Sequence, residues 1–398
     1  MRKNLLLIPG LFSLFVLGSC HTGTDPKLAR VKHAIDVAQS QLELSSAEFD
    51  SLPGFPRSLM PKFKVVDAKD WTSGFYPGTL WEAYRLTGDE HLRAEAEKFT
   101  TRLEGIQYYK GTHDLGFMVF CSYGQQQRTL HDAHSAEVIV EASNSLISRC
   151  DSTIGLIRSW DFGEWNYPVI IDNMMNLEML FWASKHTGDP KYRDVAVRHA
   201  DLTLKNHFRE DASSYHVVSY NDDGTVESRG TFQGYADSSA WARGQAWGLY
   251  GYTMCYRETG DTKYLDHARH IASFIMNHPR TPADLIPYWD YDAPDIPDAP
   301  RDASAAAVMA SALFELSTLV PDEEGRSYFD RAETMLMNLS TDAYLAPVGT
   351  NGGFILLHSV GHLPAHSEID TPLNYADYYY LEAIDRYLAL RGVVAQEL

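Results

Sequence analysis

Apolar and charged segments alternate along most of this chain, and three of the boundaries between them carry the same tripeptide. The sequence Thr-Gly-Asp begins at Thr87, Thr187 and Thr259. Each copy follows an aromatic-rich apolar segment and precedes an amphipathic one. Glycine supplies the left-handed residue that ends one helix, and aspartate accepts hydrogen bonds from the first N–H groups of the next. The pattern therefore predicts a repeated helical hairpin.

A second repeat predicts how many hairpins there are. An aspartate precedes each aromatic-rich apolar segment, at Asp70, Asp114, Asp172, Asp237, Asp302 and Asp370. Six apolar helices are predicted to start near residues 75, 114, 172, 240, 303 and 374, and six more charged ones near 28, 90, 132, 190, 262 and 323. Helices that are apolar all round belong inside a fold, and amphipathic ones outside. We therefore expect an all-α fold, an (α/α)6 toroid of six helical hairpins.

Two segments break the helical pattern. Tyr215 to Arg229 alternates in polarity about Asn221-Asp222-Asp223-Gly224, which predicts a small β-hairpin insertion. The segment 343–369 is rich in glycine and histidine. Long insertions on a rigid scaffold are where binding sites are usually built.

The first twenty residues are predicted to be a lipoprotein signal peptide. Arg2 and Lys3 precede an apolar run, 5–17, that is too short to span a bilayer as a helix. The run ends in Leu-Gly-Ser-Cys, so we expect Cys20 to be the acylated first residue of the mature protein. Residues 21–27 would form a tether and 28–398 a single (α/α)6 domain. The protein is expected to be exported, periplasmic or on the cell surface, with the lipid anchor as its one contact with a membrane.

Charge and cysteine content narrow the class of protein. A net charge of −19 argues against binding to nucleic acid, since phosphate recognition requires positive charge. The cysteines that follow Cys20 are Cys121, Cys150 and Cys255. Their odd number and wide spacing predict small buried core residues and no disulfide framework. No protein partner is evident.

Carboxylates and aromatic side chains predict a site at one mouth of the toroid. The six aspartates precede the inner helices, so they share one end of the fold. Most should be helix N-caps, and Asp237 and Asp302 fit that role best because serine follows each two residues later. Paired carboxylates in a cleft are typical of sugar chemistry. Five tryptophans near these loops are candidates for stacking on sugar rings or for core packing: Trp71, Trp160, Trp165, Trp241 and Trp247.

Five short segments, in the same order, resemble motifs of glycoside hydrolase family 88, the unsaturated glucuronyl hydrolases. They are Asp70–Phe75, His113–Phe117, Ile170–Asn176, Trp241–Gly248 and Pro287–Asp290. The similarity runs from about Val31 to Tyr387. The resemblance implies the six-hairpin toroid and a catalytic domain that needs no metal and no cofactor.

The resemblance also implies a reaction. Such an enzyme releases the terminal 4,5-unsaturated uronic acid from glycosaminoglycan oligosaccharides that a lyase has produced, by hydrating the C4=C5 enol ether. By resemblance, Asp172 gives a proton to C4 and then takes one from the water that attacks C5. Asp114 matches the second family carboxylate, which would hold the substrate and set the protonation state of Asp172.

Five further residues match substrate-contacting positions of the family: Trp71, His216, Gln233, Arg243 and Trp247. Arg243 is the natural partner for the uronate carboxylate, because a guanidinium binds a carboxylate through two hydrogen bonds. Trp71 and Trp247 would form stacking walls, and His216 would lie near the attacking water.

The second insertion should face the next sugar through the loop around Ser359, His362 and His366. It lacks the Ser-x-x-Ser-x-Lys pattern that some family members use for sulfated chondroitin fragments, which favours heparin-type or unsulfated substrates. The acidic segment 290–298 lacks the glycine and terminal glutamate of an EF-hand, so no calcium site is expected.

Three alternatives stay open on the sequence. One is the related family that hydrates unsaturated galacturonate from pectin fragments, which usually lacks a carboxylate in the place of Asp114. Another is a glycan-binding surface lipoprotein without catalytic activity, which would not need paired aspartates in a cleft. A third is an ordinary inverting glycosidase on the same toroid.

Overall fold

The computed structural model describes residues 25–60 and 62–398. The predicted signal peptide and Cys20 lie outside the described residues. The first helix begins at Pro26, inside the segment predicted to be a tether, because Asp25 accepts a hydrogen bond from the N–H of Lys27 and proline suits the first helical turn.

Helices dominate the described chain. In order they are α1 (Pro26–Asp50), α2 (Phe75–Thr87), α3 (Glu90–Thr101), α4 (Tyr123–Leu130), α5 (Ala133–Ile147), α6 (Leu177–Thr187), α7 (Pro190–Asn206), α8 (Ala242–Thr259), α9 (Thr262–Asn277), α10 (Ala303–Ser317), α11 (Asp322–Leu339) and α12 (Asn374–Arg391). The even-numbered helices form the inner ring, in which α12 packs against α2, and α1 packs against both α2 and α11. The predicted (α/α)6 toroid is confirmed.

The repeated Thr-Gly-Asp boundary behaves as predicted. Gly88, Gly188 and Gly260 adopt left-handed φ angles of 72°, 72° and 70° and end α2, α6 and α8. The aspartates that follow, Asp89, Asp189 and Asp261, cap α3, α7 and α9 by accepting an N–H hydrogen bond. Each hairpin is thus specified within a few residues of sequence.

The prediction that most of the six aspartates at the mouth are helix N-caps is wrong, because among the described inner helices Asp302 alone caps one and Asp237 does not. Asp302 Oδ1 accepts hydrogen bonds from the N–H groups of Ser304 and Ala305 at the start of α10. Asp237 instead accepts from the N–H of Thr231, and Trp241 occupies the N-cap position of α8 without a side-chain bond. Similar local sequences therefore reach different structures.

Two inner helices begin with irregular turns that carry the candidate aspartates. A π-helical turn, Gly116–Phe120, follows Asp114 and leads towards α4. A 3-10 helix, Ile171–Asn176, contains Asp172 and leads directly into α6. The helical starts predicted near 114 and 172 are therefore not α-helical from their first residue.

In the described part of the chain, five short strands lie outside the helices: β1 (Phe55–Ser58), β2 (Lys64–Val66), β3 (Pro168–Ile170), β4 (Val217–Tyr220) and β5 (Val226–Gly230). The β4–β5 hairpin confirms the predicted insertion. Strand β3 pairs antiparallel with β4, and β1 pairs with β2, neither of which was predicted. The three-stranded sheet positions the site because Asp172 follows β3 and His216 precedes β4.

Two further sequence features can be compared with the structure, the cysteines and the hydropathy of the helices. Cys121 and Cys255 are buried free thiols, as predicted, but Cys150 is only half-buried. Within residues 25–60 and 62–398, no helix is both long enough and apolar enough to cross a membrane.

Candidate active site

Strand pairing places Asp172 beside His216. The N–H of Ile171 donates to the carbonyl of His216 at 3.1 Å, which extends the β3–β4 ladder by one residue beyond Ile170 and Val217. The Nε2 atom of His216 then lies 3.5 Å from Oδ2 of Asp172. Both side chains are buried.

Backbone hydrogen bonds determine which nitrogen of His216 carries the proton. Its Nδ1 accepts from the N–H groups of Phe232 and Gln233, at 3.1 and 3.0 Å. A neutral imidazole that accepts at Nδ1 must carry its proton on Nε2, so the N–H faces Asp172. The 3.5 Å separation is longer than a normal hydrogen bond, and both facing atoms lack a hydrogen-bond partner among the described residues. Two unpaired buried polar atoms mark a place that a ligand or water can complete.

Asp114 is held by its two preceding residues. Thr112 Oγ1 donates to Asp114 Oδ2 at 2.5 Å, and His113 Nε2 lies 3.0 Å from Oδ1. The other ring nitrogen of His113 meets Ser159 Oγ at 3.1 Å, and Ser159 Oγ accepts from the N–H of Ile170 at 2.9 Å. A continuous hydrogen-bonded chain therefore links Asp114 to the strand that leads into Asp172.

The turns that follow the two aspartates also touch directly. The N–H of Phe117 donates to Asn176 Oδ1 at 3.0 Å. A Cβ atom on Gly116 would lie 2.6 Å from the Cα of Asn176, so only glycine allows this approach. The structure thus brings Asp114 and Asp172 to neighbouring positions at the same mouth of the toroid.

Arg243, the residue predicted to pair with a substrate carboxylate, binds groups of the protein itself. Its guanidinium is fully buried, and Nη1 donates to Asp302 Oδ2 at 3.0 Å and to the carbonyl of Val360 at 2.5 Å. Nη2 donates to the carbonyl of Gly361 at 2.7 Å. Three of the five N–H donors are thus used within the protein, and Nε has no partner among the described residues. The geometry makes Arg243 an anchor for the 358–371 loop.

Gln233 reaches the same loop. Its Nε2 donates to the carbonyl of Gly361 at 3.1 Å, the atom that Arg243 also contacts. In the same loop, His362 Nε2 bonds to the carbonyl of Phe232 at 2.7 Å, and burial lowers the pKa of this histidine. Ser359 is buried and His366 is exposed. The loop is therefore bound to the residues around His216, as expected for a wall of the site.

The two predicted stacking tryptophans differ in access. Trp71 is half-buried and packs against Phe117 and Tyr375, with ring centroids 5.5 and 4.9 Å apart. Trp247 has no exposed surface and lies behind Phe117, at 5.2 Å. Trp71 can therefore present a face to a sugar, whereas the prediction of an open wall at Trp247 does not fit the structure.

A sizeable cavity lies at the opposite mouth. It measures about 680 Å³ and is lined by residues near the carboxyl ends of the inner helices, including Trp182, Glu258 and Leu390. The three arginines in its lining are already paired, Arg257 with Glu178, Arg386 with Glu315 and Arg128 with Asp385. Size alone does not indicate chemistry, and the unpaired polar atoms of Asp172 and His216 place the site at the other end.

Sequence reasoning missed part of this site. Ser159 and Thr112 were not predicted, although they contact His113 and Asp114. Thr112 stands two residues before the aspartate, a spacing that allows a local hydroxyl–carboxylate bond. Ser159 has no such signal because its partner lies 46 residues away. Among the described residues, no group of three or more His, Cys, Asp or Glu side chains could hold a metal ion.

Comparison with known proteins agrees with this geometry. The model of Glycosyl Hydrolase Family 88 matches residues 52–343. An unsaturated glucuronyl hydrolase from Formosa agariphila is 44% identical, over 97% of this chain and 98% of the relative. A crystal structure of an unsaturated glucuronyl hydrolase specific for heparin is 53% identical with a TM-score of 0.90, covering 92% of this chain and 99% of that one.

A solved relative also contains a sugar. An aspartate-to-asparagine mutant of the unsaturated glucuronyl hydrolase from Streptococcus agalactiae, complexed with dGlcA-GalNAc6S, is 30% identical with a TM-score of 0.77. The alignment covers 90% of this chain and 92% of that one. The chain therefore belongs to glycosyl hydrolase family 88 and is a glycoside hydrolase of the unsaturated glucuronyl type.

Proposed function

We propose that the protein releases the terminal 4,5-unsaturated uronic acid from glycosaminoglycan oligosaccharides already cut by a polysaccharide lyase. The observation that carries this proposal is the buried Oδ2 of Asp172, which has no partner within residues 25–60 and 62–398 and faces the Nε2–H of His216 next to Asp114. The 53% identity to a hydrolase specific for heparin supports heparin-type fragments as the preferred substrates.

The reaction follows from the positions of these groups. Protonated Asp172 gives its proton to C4 of the enol ether, which leaves positive charge at C5 that the ring oxygen shares. Water then attacks C5, and the Asp172 carboxylate takes the proton that the water loses. The resulting hemiketal opens and releases the remaining sugar. One water is consumed, and Asp172 ends as it began.

His216 and Asp114 have positioning and binding roles in this scheme. The Nε2–H of His216 donates to the oxygen of the attacking water and so holds it next to Asp172. Asp114, fixed by Thr112 and His113, accepts a hydrogen bond from a sugar hydroxyl and orients the uronate ring. Arg243 acts indirectly, because its hydrogen bonds to the Val360 and Gly361 carbonyls shape the loop beside the substrate.

A panel of unsaturated disaccharides tests the proposal. Heparin-, chondroitin- and hyaluronan-derived lyase products are incubated with the protein while their ultraviolet absorbance is followed, because hydration of the C4=C5 bond removes it. We expect turnover, fastest with the heparin-type disaccharide. In heavy water the product should carry deuterium at C4, and labelled water oxygen should enter at C5. Cleavage of a saturated glucuronide at a similar rate would instead assign an ordinary glycosidase.

We also propose that the mature protein is a lipoprotein anchored through Cys20. Support comes from the apolar run and the Leu-Gly-Ser-Cys sequence that ends it. In a bacterial host, the wild-type protein should incorporate a labelled fatty acid and sediment with membranes. Cys20→Ser should abolish both while the soluble protein stays active. Unlabelled, soluble wild-type protein would refute the anchor.

A further inference from the structure

Four aromatic side chains form a cluster at the rim of the active-site mouth, in which Trp160 is buried and Trp165 half-buried. Trp160 and Phe162 stack at 4.9 Å with an interplanar angle of 16°. Trp165 and Phe232 lie 5.6 and 5.4 Å from Trp160. Phe162 is 55% exposed and Phe232 36%. We call these four residues the rim platform.

The rim platform adjoins the catalytic groups on one side and the 358–371 loop on the other. The ring of Trp160 meets that of His216 edge-on, at 6.4 Å. Phe232 gives its N–H to His216 and packs against His362 at 4.7 Å. Phe162 and Trp165 contact Trp160 and Phe232, and so lie one ring further out from His216. The platform therefore continues the site outwards from Asp172.

The chain between these rings is anchored. Asp161 accepts hydrogen bonds from both terminal nitrogens of Arg149, each at 3.1 Å, and pairs with Arg158 at 3.2 Å. Gly163 has a φ of +87°, and a Cβ there would lie 2.7 Å from the ring of Trp165. The turn thus keeps Trp165 against the backbone while Phe162 stays in solvent. Large apolar groups held open in this way at the edge of a cleft usually mark a binding surface.

We infer that the rim platform binds the third sugar ring of a longer unsaturated oligosaccharide, counted from the unsaturated uronate. This inference rests on the proposed function. With the first ring next to Asp172 and His216, the second would pass Phe232, and the third would meet Phe162 and Trp165, which lie one ring further out. Sugar rings have an apolar C–H face that packs on aromatic side chains, and this contact needs no charge.

The local charge supports recognition by stacking. Asp161 is already paired with arginines, and Glu164 is exposed on the same turn. An anionic sugar therefore finds no free cation on this turn, whose arginines are bound to Asp161 and to backbone carbonyls. The enzyme should accordingly favour oligosaccharides over disaccharides through apolar contact, with a weak dependence on salt.

Chain length provides the test. Steady-state kinetics are measured on an unsaturated disaccharide and on the tetrasaccharide from the same glycosaminoglycan. Phe162→Ala and Trp165→Ala should each lower kcat/KM for the tetrasaccharide about two- to tenfold, the range expected for one aromatic contact. Both variants should turn over the disaccharide at the wild-type rate, and Phe162→Tyr should retain the tetrasaccharide preference.

Controls separate this inference from the proposed function. Leu390→Ala, which removes a partly exposed apolar side chain at the opposite mouth, should affect neither substrate. Equal losses on both substrates, or no loss on either, would overturn the rim platform while the hydrolase assignment stands. A Phe162→Ala variant with altered sedimentation and unchanged kinetics would also overturn it, because the rim platform would then be a contact between two copies of the protein. A wild-type protein that turned over no unsaturated substrate would refute the proposed function, and the platform with it.

Discussion

The Nε2–H of His216 faces Oδ2 of Asp172 across 3.5 Å, and neither atom has another partner among the described residues. This gap is too long for a strong hydrogen bond, yet a water oxygen beside it can contact both groups. The backbone enforces the relationship, since Nδ1 of His216 is occupied by two N–H donors. The arrangement suits a carboxyl group that gives a proton to substrate and then takes one from water.

Asp172→Asn should abolish turnover while leaving the fold and substrate binding nearly intact. Asparagine has the same shape but neither gives nor accepts the proton, and general acid–base catalysis contributes about a hundred- to ten-thousandfold. The measurements are kcat on an unsaturated disaccharide and substrate affinity by calorimetry. Asp370→Asn is the matched control at the same mouth, because Asp370 is exposed and pairs with His358. A variant that kept a tenth of wild-type kcat would remove Asp172 from the mechanism.

His113 should position Asp114 through its Nε2 donor. His113→Leu removes that donor and the contact with Ser159, and we expect kcat to fall by up to about a hundredfold, as for misplacement of a catalytic group by about 1 Å. His113→Gln should recover part of this loss, because its amide nitrogen can still donate to Asp114.

The comparison of these two variants distinguishes positioning from packing. The pH profile of kcat should change in the Leu variant and return towards wild type in the Gln variant. Equal impairment in both, with an unchanged pH profile, would mean that His113 only fills space beneath the site.

The elements that the sequence predicted well are those specified locally. Gly188 ends one helix and Asp189 starts the next, so their roles can be predicted from the local sequence alone. Strand β3 is three residues long and forms by pairing with β4, almost fifty residues later, so the local sequence does not predict it. Asp237 and Asp302 stand in similar local sequences but differ in long-range contacts. Asp302 accepts hydrogen bonds from Arg243 and from the N–H of Val360 in the 358–371 loop, and Asp237 does not.

The burial of individual site residues could not be predicted from the sequence either. Trp247 and Trp71 both stand in family-like motifs, but packing against Phe117 and Tyr379 closes Trp247 off from solvent. The occupation of Arg243 by carbonyl groups of the loop likewise depends on contacts more than a hundred residues apart. Residue identity thus located the site, while long-range packing decided which side chains are open to a ligand.

Glu368 forms an ion pair with Arg57 at 2.7 Å. Protonation of Glu368 in acid should break this pair and lower the stability of the protein. Burial opposes ionisation of Glu368, but the hydrogen bond and charge of Arg57, with the charge of Lys64, hold its pKa at about 2, below the ordinary 4.5. A depressed carboxyl pKa contributes stability above the unfolded-state value and loses it as pH falls towards the folded-state value. We expect ionisation of Glu368 to account for a decrease of about 2 kcal/mol in the free energy of unfolding between pH 6 and pH 3.

Urea unfolding at the two pH values measures this contribution. Glu368→Gln should be less stable than wild type at pH 6 and should lose less stability on acidification. Glu90→Gln, at an exposed carboxylate that pairs with Arg93 and accepts a hydrogen bond from the Tyr84 hydroxyl, serves as the control and should follow the wild-type slope. An unchanged slope in Glu368→Gln would show that the ion pair with Arg57 does not govern acid stability.

Arg243→Lys should destabilise the protein and weaken substrate binding together. A lysine ammonium cannot reproduce the planar fork that reaches Asp302, Val360 and Gly361 at once, and a lost hydrogen bond to a charged group costs about 2 kcal/mol. Release of the Gly361 carbonyl should loosen the 358–371 loop, so KM should rise. Gln233→Ala, which removes the second donor to Gly361, should raise KM with a smaller loss of stability. Arg93→Lys, at a surface ion pair of α3, is the control for the substitution itself. A large rise in KM at full stability would instead mean that the guanidinium contacts the uronate directly, and the anchoring role assigned here to Arg243 would be withdrawn.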